Sequence, residues 1–246
     1  MNWEECEDYG ALSRRAAELL LAAIREDPRV VLGLPTGRTP VGMYERVIAE
    51  CSRQYHCFRE VTTFNLDEYA GIPRDHPGSY CSYMKHYLFD HVDVDPANAH
   101  IPNGEAPDLE AECLRYEREI AGAGSLGLTF LGLGQNGHIG FNEPGTPFDS
   151  RTRVVELSHS TRVANADLFA DRKVPTHAIT IGIGTILDSK RIVLLASGES
   201  KLDAIARLKS GEIDESFPAS ALWKHAQCTV LAVSGDGWRN RPGDRS

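Results

Sequence analysis

Apolar runs of strand length recur along the chain, at residues 30–34, 61–66, 126–133, 191–196 and 228–233, separated by longer segments. A run that is apolar throughout marks a strand covered on both faces, which is the condition of strands in a parallel sheet packed between helices. The separating segments fit that demand. Residues 9–25 carry Leu12, Ala16, Leu19, Leu20, Ala23 and Ile24 at helical spacing, and Pro28 ends the pattern. Helices are also predicted at 41–51, 79–89, 108–121 and 200–208, with a short one at 218–225. Two further strands are expected at 153–157 and 177–183. Strand and helix in alternation require right-handed crossovers, so the chain reads as an α/β protein with a mostly parallel sheet and helices on both faces. The polar stretch 158–173 suits a helical lid better than a core segment. No linker-like stretch interrupts the pattern, so residues 1–246 are expected to form a single domain with a polar, frayed tail at 236–246.

Charge narrows the partners. A formal net charge of −9 argues against nucleic acid as a ligand, since that function calls for a basic face. A local positive pocket for a small anion remains compatible with an acidic surface. The six cysteines form no CxxC pair. They are expected to be reduced thiols rather than a disulfide frame or a zinc site. No run approaches the ~20 apolar residues needed to cross a bilayer, and no basic-then-apolar leader is evident, so no membrane contact and a cytoplasmic setting are expected.

Three stretches carry residues suited to chemistry. The run 126–133 opens into a turn with glycines at 132, 134, 137 and 140, and into that turn are set Asn136, His138 and Glu143. In open α/β sheets the carboxyl ends of strands are where ligands bind, and an imidazole beside a carboxylate is an acid–base couple. A second strand–turn–helix unit carries Thr36, Gly37, Arg38 and Thr39 between the run 30–34 and the helix at 41–51. Free N–H groups and the helix dipole favour an anion there, although the spacing is not that of a Walker loop. At the end of the run 61–66 stand two adjacent carboxylates, Asp67 and Glu68. They suit acid–base work or the plain capping of a turn.

Leu32-Gly33-Leu34-Pro35-Thr36-Gly37-Arg38-Thr39-Pro40, Thr63-Phe64-Asn65-Leu66-Asp67-Glu68-Tyr69 and Gly134-Gln135-Asn136-Gly137-His138-Ile139-Gly140-Phe141-Asn142-Glu143-Pro144, in that order, resemble the glucosamine-6-phosphate deaminase family. The resemblance runs from about residue 10 to about 234, and includes Thr161-Arg162-Val163-Ala164-Asn165 and Gly182-Ile183-Gly184-Thr185-Ile186-Leu187. It implies a modified Rossmann-like fold. It also implies conversion of a 2-amino sugar 6-phosphate to a ketose phosphate and ammonia, with no metal or organic cofactor. By the same resemblance His138, with Asn136 and Glu143, opens the sugar ring, and Asp67 moves the proton from C2 to C1. Thr36, Gly37, Arg38, Thr39, Gly137 and Lys201 would hold the sugar phosphate. The partner is then a small amino sugar phosphate, and the protein a monomer or small homo-oligomer.

Departures from the family pattern sharpen the reading. Many members have aspartate where this chain has Asn136; asparagine cannot exchange a proton but can accept one hydrogen bond from the imidazole. Where the family places a phosphate-clamping arginine, this chain has Asp167, whose charge repels a phosphate. Two readings follow: Arg38, where relatives usually have glycine or serine, replaces it from the opposite wall, which is the one favoured, or the same chemistry acts on an amino sugar that is galacto-configured, lacks the 6-phosphate or carries a different substituent. Allosteric members carry a lysine two positions after the arginine matched by Arg153, and here that position is Val155, so non-cooperative kinetics are expected. Two rival functions are a lactonase of the same broad fold and a sugar-phosphate sensor without turnover. The residues at 67–69 and 141–144 fit the deaminase better than either.

Overall fold

A computed structural model describes residues 1–53, 57–169 and 173–233; the frayed tail expected at 236–246 and part of the expected lid, 170–172, lie outside the described residues. In chain order the first half holds β1 (Asn2–Cys6), α1 (Tyr9–Glu26), β2 (Val31–Leu34), α2 (Val41–Cys51), β3 (Thr62–Asn65), β4 (Asp67–Tyr69), α3 (Tyr80–Tyr87), β5 (Ala99–His100) and α4 (Leu109–Gly122). The second half holds β6 (Leu128–Gly132), β7 (Arg153–Glu156), α5 (His159–Ala164), β8 (His177–Thr180), α6 (Ile183–Leu187), β9 (Ile192–Ala196), α7 (Leu202–Lys209) and β10 (Cys228–Val233).

Seven strands form one sheet in the order β1-β10-β9-β6-β2-β3-β5, with parallel neighbours throughout. The strands are covered on both faces, as their apolar runs require. Leu32, Leu34, Phe130, Val193 and Leu195 face α1 and α2 across a core that includes Leu12, Leu20, Met43 and Val47. Their neighbours Val31, Leu131, Ile192 and Leu194 face the other way, toward Tyr116, Ile120, Ile186 and Ile205 of α4, α6 and α7. That alternation is the period of two expected of strand side chains. Helix ends follow the sequence: Asp8, Ser79 and Asp108 each accept a backbone N–H at the start of α1, α3 and α4.

After β2 the chain adds strands on one side, and after β6 on the other. The boundary between β2 and β6 is therefore the topological switch point, the place beyond the strands' carboxyl ends where open α/β sheets bind ligands. The loop 35–39 leaves β2 there, and the glycine turn leaves β6.

Three expectations need correction. The segments at 153–157 and 177–183 do contain strands, but β7 and β8 join β4 in a separate antiparallel sheet of order β4-β8-β7. Second, a strand precedes α1: β1 pairs along the outer edge of Cys228–Val233, and the apolar-run criterion passes over it because Asn2, Glu4 and Glu5 are polar. Third, Cys51 at the end of α2 is disulfide-bonded to Cys57, with Cα atoms 5.5 Å apart. Cys6, Cys81, Cys113 and Cys228 are the free cysteines. Among the described residues no helix is long and apolar enough to cross a membrane.

Candidate active site

The glycine turn after β6 is built around one imidazole. A methyl group on Gly134 would lie 2.3 Å from Nδ1 of His138, so the ring rests where only glycine leaves room. Further along, Gly140 has φ +57°, and a methyl group there would come within 3.4 Å of Asp67 Oδ2. That approach brings the small sheet's Asp67 against the glycine turn that leaves the main sheet.

Asn136 links the imidazole to a carboxylate. Its amide Nδ2 donates to Glu143 Oε2 at 2.7 Å, and its Oδ1 lies 2.8 Å from His138 Nδ1. A carboxylate can only accept, so the amide oxygen must face the ring, and Nδ1 must carry the proton. Nε2 is left with a lone pair. Glu143 Oε2 stands 3.8 Å from Nδ1, and the His138 side chain is 29% exposed, enough for a ligand to reach it. Burial lowers the histidine's pKa from 6.5; the charge of Glu143 opposes that shift, and Lys201 reinforces it. Lys201 ends the turn Glu199–Lys201 that follows β9. The other oxygen of Glu143 is held from α5, by the Thr161 hydroxyl at 2.5 Å and Ser158 at 3.3 Å.

The two adjacent acids divide their roles. Glu68 accepts the backbone N–H groups of Tyr69, Tyr80 and Cys81 at 2.8–2.9 Å, so it caps the start of α3. Burial raises its pKa against the pull of those three amides. Asp67 is 6% exposed and accepts a hydrogen bond from none of the described residues. Burial first, and then the charge of Glu68, push its carboxyl up to about 8.

The loop 35–39 is held by its carbonyls. Tyr44 donates to Pro35 O and Tyr83 to Gly37 O, each at 2.6 Å, and Tyr9 reaches Thr39 O at 3.1 Å. The side chain of Thr36 acts on the Tyr80 hydroxyl, lowering its pKa against the effect of burial. Among the described residues the N–H groups of 36–39 donate to no backbone acceptor, which leaves them for a ligand. Arg38 is exposed on this loop, and Asp167 is exposed in the turn Ala166–Leu168. Gly137 differs from the other ligand candidates, because its N–H donates to Gly134 O at 3.1 Å. No cluster of three or more His, Cys, Asp or Glu side chains suited to a metal occurs among the described residues.

This arrangement at the switch point has relatives. A family model described as glucosamine-6-phosphate isomerases/6-phosphogluconolactonase matches residues 7–231. The chain belongs to that family. Among curated relatives, a glucosamine-6-phosphate deaminase of Lysinibacillus sphaericus is 51% identical over 232 residues, covering 94% of this chain and 98% of its own. Glucosamine-6-phosphate deaminase 1 of Bacillus subtilis is 51% identical over 228 residues, covering 92% and 94%. A solved structure of a monomeric glucosamine-6-phosphate deaminase superposes with a TM-score of 0.94 at 48% identity, covering 98% of this chain and 100% of that one. A 6-phosphogluconolactonase of Thermotoga maritima shares the fold, with a TM-score of 0.72 at 21% identity over 95% and 98%.

Several residues of this glucosamine-6-phosphate isomerase family member lie at the site without having been singled out by the sequence. Thr161 and Ser158 reach Glu143 from the start of α5, and Asn165, at the other end of that helix, acts on the Tyr69 hydroxyl. Asn142 is fully buried and ties the turn to β8's end through Ile181 O at 2.9 Å, while accepting from Arg153 at 2.8 Å. The signal for the first group was present in the polar spacing of 158, 161 and 165, which at helical periodicity share one face.

Proposed function

We propose that the chain is an isomerising deaminase that converts glucosamine 6-phosphate and water to fructose 6-phosphate and ammonia. The observation that carries this reading is a buried carboxyl, Asp67, which accepts no hydrogen bond from the described residues and lies under Gly140 of the same turn that carries an imidazole with its proton on Nδ1. Nε2 of His138 takes the proton of the anomeric hydroxyl and returns it to the ring oxygen, which opens the sugar. Glu143 stabilises the imidazolium that exists between those two transfers. Asp67 then removes the C2 proton and delivers it to C1. A dry carboxyl titrating near 8 is a far stronger base than an exposed one, and near neutrality it changes hands with a proton readily. Protonation at C1 leaves an iminium at C2; water adds to that carbon, and the C–N bond breaks as ammonia leaves with the ketone formed.

Arg38 and Lys201, with the N–H groups of 36–39, bind the 6-phosphate. Arg38 supplies the guanidinium that the family draws from the position occupied here by Asp167. The chain acts as a single domain, and a 48% identical relative described as monomeric supports a monomer.

An ammonia-release panel of glucosamine 6-phosphate, its galacto epimer and free glucosamine tests the reading. Release from the first at a kcat/KM at least about tenfold above the others is expected. Hydrolysis of a 6-phosphogluconolactone without ammonia from any amino sugar would replace it with the lactonase reading.

A further inference from the structure

Thr161 is tied to the ring-opening histidine through two intermediaries. Its hydroxyl donates to Glu143 Oε1 at 2.5 Å; Glu143 Oε2 accepts from Asn136, and Asn136 accepts from the imidazole. Behind Thr161, the Ser158 hydroxyl donates to Thr161 Oγ1 at 2.9 Å and also accepts the Thr161 N–H as the N-cap of α5. One continuous chain of donors and acceptors therefore runs from the cap of the lid helix to His138.

The residues around that chain explain why it has consequences. α5 has 6 residues, too few to be stable by its own hydrogen bonds. Its place is set by contacts at its two ends. One is the Ser158–Thr161–Glu143 chain. The other is Asn165 on Tyr69, followed by Phe169, which is 3% exposed and packs edge-on against Tyr69 with ring centres 5.3 Å apart. Glu143 cannot hold itself. Without Thr161 its Oε1 keeps only the longer contact to Ser158, and the carboxylate is free to turn away from Asn136.

We infer that Thr161 is a positioning residue of the lid: by holding Glu143 on Asn136 it keeps the proton of His138 on Nδ1, so that the ring-opening base is assembled only while α5 is seated. The inference rests on the deaminase reading for its kinetic consequence but not for its structural one. The charged groups acting on His138 are Glu143 and Lys201, and only the first is touched by Thr161.

The test is Thr161→Val, which keeps the side chain's shape and removes the hydroxyl, alongside Thr161→Ser, which restores it. Ring 15N shifts of His138 in the substrate-free protein are expected to show the Nδ1–H tautomer in the parent and in Thr161→Ser, and a mixture in Thr161→Val. The imidazole of Thr161→Val should also titrate at lower pH, because burial is then less opposed by Glu143. With glucosamine 6-phosphate, kcat should fall about 10- to 100-fold with KM within about threefold, and Thr161→Ser should recover kcat to within about threefold. An unchanged tautomer in Thr161→Val, or equal losses in the valine and serine variants, overturns the inference. Should valine prevent folding, Thr161→Ala takes its place with the same expected outcomes. If the parent releases no ammonia, the deaminase reading falls, and the tautomer measurement still decides the role of Thr161.

Discussion

Replacing Asp67 by asparagine is expected to stabilise the fold, and to do so only above the pH at which an exposed aspartate ionises. The carboxyl is 6% exposed, accepts no hydrogen bond from the described residues, and is pushed by burial from the 3.8 of an exposed aspartate up to about 8. Below 3.8 it is protonated in both the folded and the unfolded chain, so folding is indifferent to it. Between 3.8 and about 8 the unfolded chain releases the proton and the folded one keeps it, so stability falls as the pH rises. The full gap corresponds to about 6 kcal/mol at pH above 8, at about 1.4 kcal/mol per pH unit. Water entry and relaxation around the ionised group relieve part of this, and about 3 kcal/mol is the expected net at pH 8.5, shrinking to about 1 kcal/mol at pH 5. Asparagine has nearly the same shape and no charge to desolvate, so Asp67→Asn should escape the penalty. For a chain of this size the gain is about 6–12 °C in Tm at pH 8.5 and about 2–4 °C at pH 5. Melting curves of both proteins across pH 4–9 measure it directly. Parallel curves, with the same offset at pH 5 and 8.5, would refute the account of Asp67 as a carboxyl held in a dry site. The same variant should lose exchange of the C2 proton while still binding the sugar, which couples the gain in stability to the loss of function.

Arg38→Ala should raise KM for glucosamine 6-phosphate about tenfold or more and leave the KM of free glucosamine unchanged; equal effects on both sugars would remove Arg38 from the phosphate site. Gly134→Ala places a methyl group 2.3 Å from His138 Nδ1, so the ring must move, and kcat should fall about 100-fold or more while far-UV circular dichroism stays that of the parent. Val155 stands where allosteric members of the family carry lysine, so rate curves should be hyperbolic and unaffected by N-acetylglucosamine 6-phosphate; a sigmoidal curve made hyperbolic by that sugar would refute this.

The main sheet was legible because most of its inner strands lie in runs that are largely apolar on both faces, as at Leu128–Gly132 and Ile192–Ala196, with helix-period segments between them. The small sheet was not. Asp67–Tyr69 is three residues long and follows β3 after Leu66 alone, so it reads as the end of that strand. Arg153–Glu156 and His177–Thr180 read as strands, but nothing local says that they pair antiparallel with each other and with β4. The Cys51–Cys57 bond was hidden for a related reason, since what matters is how the chain returns from α2, and the sequence interval does not give that.

The site shows the same division at the level of single residues. His138, Asn136 and Glu143 lie within eight positions of one another on a glycine turn, so their grouping is local, and the sequence alone exposes it. The separation of Asp67 from Glu68 is not local. Which of two adjacent carboxylates becomes a cap and which a base is decided by where α3 begins, because Glu68 alone meets its free N–H groups, at Tyr80 and Cys81. The kink at Leu66 sends the chain into the second sheet, where Asp67 pairs with Thr180 and comes under Gly140, and Glu68 pairs with Ile179 and turns toward α3. Adjacent residues of a strand point to opposite faces. The small sheet therefore sorts the two acids, one toward the glycine turn and one toward the start of α3, and its three short strands shape the candidate site as much as the glycine turn does.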